Sequence, residues 1–286
     1  EIFFGLWSMV GWGVADFLAA KSVRNVGNFL TLFWMQLIGF IGALAYFILN
    51  FPSFDFQEVP RFIPAIATFA FLQTAGYLFF YRGFEKGQIS LVSPLAASWA
   101  MVTVLLSVVF LKEVLTFQHI VAIACILFGI CAISTDLKAL FALTFAPFLK
   151  GTKEGLLAMI LWGTSFFVIV PAAQEVGWFL PIFLYRLFAI IFLWAYVFVT
   201  PLTFKASLRP SFLLLLIPIG ILDITAFFTY SLGVRSLNAS LVAPVAASFS
   251  LITILLARVF LKEKIAFIQA VGIAAVIAGV ILISWQ

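Results

Sequence analysis

Ser90-Leu91-Val92-Ser93-Pro94-Leu95-Ala96-Ala97-Ser98 returns 150 positions later (240 against 90) as Ser240-Leu241-Val242-Ala243-Pro244-Val245-Ala246-Ala247-Ser248. The same offset joins Trp12-Gly13 to Trp162-Gly163, Ala45-Tyr46 to Ala195-Tyr196, and Leu111-Lys112-Glu113 to Leu261-Lys262-Glu263. Gly129 and Ser134 recur as Gly279 and Ser284. The chain therefore reads as a tandem duplication, with residues 1–136 as the first copy, 137–150 as a linker and 151–286 as the second copy.

Composition says where the duplicated unit resides. Of the 286 residues, 65% are hydrophobic and 9% charged, with a mean hydropathy of +1.24. Ordinary soluble domains carry roughly 25% charged residues. A chain this apolar lacks the polar surface to face water and must face lipid. Apolar runs between charge and turn clusters define ten spans: 3–20, 29–50, 62–82, 90–110, 116–135, 155–173, 178–200, 211–233, 240–260 and 265–285. They are expected to be helices, because backbone exposed to lipid must satisfy its own hydrogen bonds. The first run belongs to a repeat unit, so it reads as a span rather than a cleavable signal. The linker region carries Lys138, Lys150 and Lys153 and reads as an interfacial segment.

Each copy holds five spans, and five is odd. The second copy then enters the bilayer from the opposite side, and a pseudo-two-fold axis in the membrane plane relates the two. The expected fold is an all-α membrane protein of ten transmembrane helices, arranged as two inverted five-helix repeats around a central cavity. The loop charges agree with inversion. The side holding the loops after odd-numbered spans, here side A, carries twelve basic residues: Lys21, Arg24, Arg82, Lys86, Lys138, Lys150, Lys153, Lys205, Arg209, Arg258, Lys262 and Lys264. Side B carries three, Arg61, Lys112 and Arg235. Matched positions diverge in the same sense, Arg24 facing Gln174, Asp55 facing Lys205, Val59 facing Arg209 and Val114 facing Lys264. By the positive-inside rule side A is cytoplasmic and both termini lie outside, in the cytoplasmic membrane of a prokaryote.

The paired Ser-Leu-Val-x-Pro-x-Ala-Ala-Ser blocks, each leading to Leu-Lys-Glu, resemble the repeat of the drug/metabolite transporter superfamily, and most closely its ten-helix EamA-type members. The Trp-Gly of spans 1 and 6 fits, as do the glycines of spans 5 and 10. The likeness covers essentially the whole chain. It implies a ten-helix basket that moves small metabolites through a central cavity by alternating access, with export favoured. Members of the family usually keep their termini in the cytoplasm; the loop charges here point the other way.

Ionisable groups at mid-membrane are costly and hence functional candidates. Asp16, Arg186 and Asp223 qualify, in spans 1, 7 and 8. Gln36 occupies the repeat position of Arg186, and Gln73 that of Asp223. Both positions are polar in both copies, as expected if they face a shared cavity. Arg186 would bind a substrate carboxylate or phosphate, while Asp223 or Asp16 would bind an amine or a coupling proton. The plainer alternative is an internal Arg186–Asp223 pair that only orients helices. Trp12, Trp99, Trp162, Tyr77 and Tyr81 are expected to line the cavity, because buried tryptophan and tyrosine need partners for N–H and O–H. Pro94 and Pro244 read as hinges, with the following Ala-Ala-Ser allowing close backbone approach. Glu113 and Glu263 read as solvated caps at helix boundaries.

The leading functional expectation is a secondary transporter for an amino acid or similar zwitterion; an organic-cation or drug transporter of the same fold comes second. A single histidine, His119, and two cysteines six apart, Cys125 and Cys131, offer no catalytic or metal-ligand cluster. An enzyme is therefore disfavoured, and no cofactor or metal is expected. No ring of like charges suggests a channel. The expected partners are a small-molecule substrate and the bilayer. The net charge of +5 sits at helix ends and does not indicate nucleic acid. A monomer or weak dimer is expected.

Overall fold

A computed structural model of the chain describes residues 2–87, 89–134, 150–200, 210–261 and 267–284. Among them are twelve α-helices and no strand: α1 (Ile2–Val26), α2 (Asn28–Leu49), α3 (Val59–Lys86), α4 (Ile89–Ala97), α5 (Trp99–Phe110), α6 (Phe117–Ser134), α7 (Thr152–Glu175), α8 (Leu180–Val199), α9 (Pro210–Ser236), α10 (Ala239–Ala247), α11 (Phe249–Leu261) and α12 (Phe267–Ser284). Eight stretches are long and apolar enough to cross a membrane, with α4–α5 forming one (Val92–Phe110) and α10–α11 another (Ala239–Phe260). Two apolar stretches are shorter, Phe117–Ile130 in α6 and Ala270–Leu282 in α12. Lys138, Glu263 and most of the linker fall outside the described residues.

Each Pro-x-Ala-Ala-Ser block interrupts its helix one turn after the proline rather than at it. Ser98 Oγ donates to the Pro94 carbonyl at 3.1 Å, and Ser98 N–H is shared between the carbonyls of Pro94 (3.1 Å) and Leu95 (3.3 Å). Ser248 repeats this, with Oγ 2.9 Å from the Pro244 carbonyl and N–H 3.1 Å from that of Val245. The serine hydroxyl competes with the backbone for the proline carbonyl, so the turn tightens there and the helix is interrupted. The helices are thus interrupted at Ser98 and Ser248, four residues beyond Pro94 and Pro244.

The halves interlock instead of packing separately. The three most extensive helix pairs, α6 with α12, α3 with α7 and α1 with α9, each join one half to the other. Two of these pairs exchange when the halves are exchanged, and the third maps onto itself. Small residues permit the approach. A Cβ on Gly13 would sit 2.7 Å from the Phe249 carbonyl, and one on Gly163 would sit 2.7 Å from that of Trp99, its repeat counterpart. Across the same contacts Thr253 Oγ1 donates to Gly13 O at 3.1 Å and Thr103 Oγ1 to Gly163 O at 2.9 Å. The counterparts α6 and α12 run antiparallel, Gly129 meeting Gly272 and Gly279 meeting Ala122. So do α2 and α8, with Phe29 against Tyr196 and Tyr46 against Phe179. Gly27 (φ +92°) and Gly177 (φ +109°), at matching repeat positions, both take a positive φ.

The Leu-Lys-Glu motif has a structural use in the first copy. Lys112 takes a positive φ of 58°, an uncommon conformation for a residue with a Cβ. It turns Glu113 toward the other half, where the carboxylate accepts the backbone N–H groups of Ala239 (3.0 Å) and Ser240 (2.9 Å) at the start of α10. Glu113 is therefore not a solvated cap of its own helix.

Candidate binding cavity

Five helices converge on a narrow aromatic-lined cavity of about 10 Å³, room for roughly one water molecule. Its walls are Trp12 and Asp16 of α1, Gln73 and Tyr77 of α3, Trp99 of α5, Trp162 and Phe166 of α7, and Phe249 of α11. Three of these helices each contribute residues four apart, a spacing that puts both side chains on one helix face. The rings pack on each other: Trp99 stacks on Phe166 with centroids 4.2 Å apart, and Tyr77 meets Trp162 at 4.9 Å. Trp12 lies edge-on to Trp99 at 6.5 Å and leans on Phe166 at 5.6 Å. Trp162 Nε1 donates to the Gln73 carbonyl at 3.4 Å.

The polar groups in this wall are underused. Trp12 Nε1 and Gln73 Oε1 are buried without a hydrogen-bond partner among the described residues. Asp16 is 4% exposed, and no hydrogen bond or ion pair joins it to another described residue. A buried carboxylate without a cation is costly, because the lost hydration is not replaced.

A second polar cluster abuts the cavity; its charges are answered from within, although Arg186 Nε has no hydrogen-bond partner among the described residues. Arg186 of α8 donates from Nη2 to Asp223 Oδ2 of α9 and from Nη1 to Gln36 Oε1 of α2, each at 2.5 Å. Gln36 Nε2 donates to Tyr185 Oη at 2.8 Å, and Tyr77 Oη donates to Asp223 Oδ1 at 2.7 Å. The guanidinium also lies 4.9 Å from the ring centroids of Tyr185 and Phe227. Arg186 is 0% and Asp223 1% exposed, so one pair of opposite charges is sealed inside the protein. Tyr77 belongs to both groups, since its ring faces the cavity and its hydroxyl holds Asp223.

Of the ten residues expected to bind substrate, six line the cavity: Trp12, Asp16, Gln73, Tyr77, Trp99 and Trp162. Gln36, Arg186 and Asp223 form the neighbouring cluster, with the cross-repeat match of Gln36 to Arg186 realised as a direct hydrogen bond. Tyr81 points elsewhere and donates to Met35 Sδ at 3.1 Å. Sequence reasoning missed Phe166, Phe249 and Tyr185. Phe166 was findable, being one turn beyond Trp162 on the same face. Phe249 and Tyr185 look like any other span aromatics until the helices are packed.

Residues 1–135 and 149–285 both match the EamA-like transporter family. An uncharacterized protein of Methanocaldococcus jannaschii is 32% identical over 133 residues, which cover 46% of this chain and 95% of that protein. That relative is therefore about the length of one half. A solved structure described as "Crystal structure of protein" superposes with a TM-score of 0.77 at 18% identity, covering 99% of this chain and 98% of the other. The chain belongs to the EamA-like transporter family and is a multi-pass membrane protein of the transport class.

Proposed function

We propose that this member of the EamA-like transporter family is a secondary transporter of small organic cations, carrying an amine with an apolar body through the aromatic cavity by alternating access. The observation behind this reading is Asp16, a buried carboxylate without a cation, set among Trp12, Trp99, Trp162 and Tyr77. Aromatic faces attract a cation at short range, and a carboxylate supplies the opposite charge. Arg186 offers no equivalent for an anion, because Asp223 already neutralises it. This promotes the organic cation above the zwitterion that led on sequence grounds. The expected inverted ten-span architecture supplies the moving parts, and the antiparallel packing of α6 on α12 and of α2 on α8 supports it. Asp16 would also serve as the coupling site, holding a proton when no cation is bound.

One feature keeps the amino-acid reading in play. Tyr77 connects the cavity to Asp223, so a substrate carboxylate could take Asp223's place on Arg186.

Counterflow in proteoliposomes separates the two readings. Under the cation reading, labelled organic amines exchange and Asp16→Asn abolishes the exchange. The neutral pair Arg186→Gln with Asp223→Asn retains it. Loss of transport in that neutral pair, together with counterflow of amino acids but not of amines, would overturn the cation reading in favour of a zwitterion.

A further inference from the structure

Beside α1, outside the transport cavity, a separate groove of about 720 Å³ opens on the outer surface between α1, α9, α11 and Ile89 at the start of α4. Val14 and Leu18 of α1, Leu215 of α9 and Leu256 and Phe260 of α11 line it, and Lys21 and Arg24 stand at one end. Phe17 and Phe260 flank it with ring centroids 5.7 Å apart. From Val14 to Lys21 the groove follows seven residues of helix, about 10 Å of rise. One leaflet of hydrocarbon is about 15 Å deep. The apolar part therefore matches an acyl chain lying along the protein, and the basic end falls at headgroup depth.

The charge at that end is unspent. Lys21 and Arg24 are exposed, and neither makes an ion pair among the described residues. Glu85, whose carboxylate approaches Gly27 just past the end of α1, is engaged by the backbone and side-chain N–H groups of Asn28. Asn25, at the same end, directs its side-chain amide to the Lys21 carbonyl and adds no negative charge.

We propose that this groove is a binding site for an anionic phospholipid, with its phosphate between Lys21 and Arg24 and one acyl chain against Val14, Leu18 and Leu215. The occupant is a lipid rather than soluble phosphate, because the apolar trough continues directly from the basic end. The site is independent of what the central cavity carries.

Native mass spectrometry of the purified full chain tests this, titrating phosphatidylglycerol against phosphatidylcholine of identical acyl chains. The wild type should retain phosphatidylglycerol preferentially. The double variant Lys21→Gln/Arg24→Gln should bind it roughly thirtyfold more weakly, in line with about 1 kcal/mol per basic residue at a membrane surface. Val14→Phe, which fills the deep end, should weaken both lipids while leaving the basic pair intact. A control pair away from the groove, Arg61→Gln/Lys153→Gln, should behave as wild type. Equal retention by wild type and the Lys21/Arg24 variant overturns the proposal. So does a loss of self-association in that variant with lipid retention unchanged, which would make the groove a contact between copies. Retention unaltered by Val14→Phe overturns the placement of the acyl chain.

Discussion

Arg186 carries five N–H donors into a region without water, and its surroundings show how such a group is tolerated. Asp223 cancels the charge, Gln36 takes a second donor, and Tyr77 satisfies the far oxygen of Asp223. Removing either member of a buried ion pair strands the other, at a cost of about 3–5 kcal/mol. Asp223→Asn and Arg186→Met should each therefore destabilise the protein severely. The double variant Arg186→Met/Asp223→Asn should recover much of the loss, as read by reversible unfolding in mixed micelles. Equal destabilisation by the double and the worse single variant would show that the two residues do not act as a pair. The membrane position of both charges was legible in the sequence, because ionisable groups stand out in apolar spans. Which charge would be neutralised and which left open was not, since that depends on the rotation of α1, α8 and α9 about their axes.

At the scale of elements, the broken helices α4–α5 and α10–α11 carry the mirror-image chemistry of the repeat. The start of α10 exposes backbone N–H groups that need partners, and Glu113 meets that need from across the half boundary. A carboxylate at a helix start is favoured both by direct hydrogen bonds and by the helix dipole. Glu113→Ala should cost about 1–2 kcal/mol and speed amide hydrogen exchange at Ala239 and Ser240. Glu113→Gln, which keeps an accepting oxygen without the charge, should fall between the two. Exchange at those two amides unchanged in Glu113→Ala would remove the capping role. The Leu-Lys-Glu motif was visible as a repeated string, but its partner was not. Nothing local to residue 113 points to residue 239; the contact exists only because α5 ends beside the start of α10.

At the scale of the molecule, the halves share one interior. Because the most extensive helix pairs all cross between them, neither half buries its own apolar faces alone. Residues 1–136 and 151–286 produced as separate chains in one cell should copurify, whereas either alone should aggregate or be degraded. A stable, monodisperse single half would contradict this interlocked packing. The existence of a relative as long as one half makes the experiment pertinent. Orientation is a separate matter, set by charge rather than by packing. In a variant lacking Cys125 and Cys131, a cysteine at Asp55 should react with an impermeant maleimide outside intact cells and one at Lys21 should not. The reverse pattern would place side A outside.

The sequence by itself determined the duplication, the apolar spans, the membrane and the positions at which polarity enters mid-span. Each of these is written in composition and period, which depend on residues within about one helix length of each other. Only the tertiary structure decided that Arg186 and Asp223 answer one another and that Asp16 remains the unpaired carboxylate in the aromatic cavity. It also placed the helix interruptions at Ser98 and Ser248. The physical reason is that pairing depends on which faces of distant helices meet. In a packed bundle that choice is made by close contacts such as Gly13 on Phe249 and Gly163 on Trp99, between residues far apart along the chain.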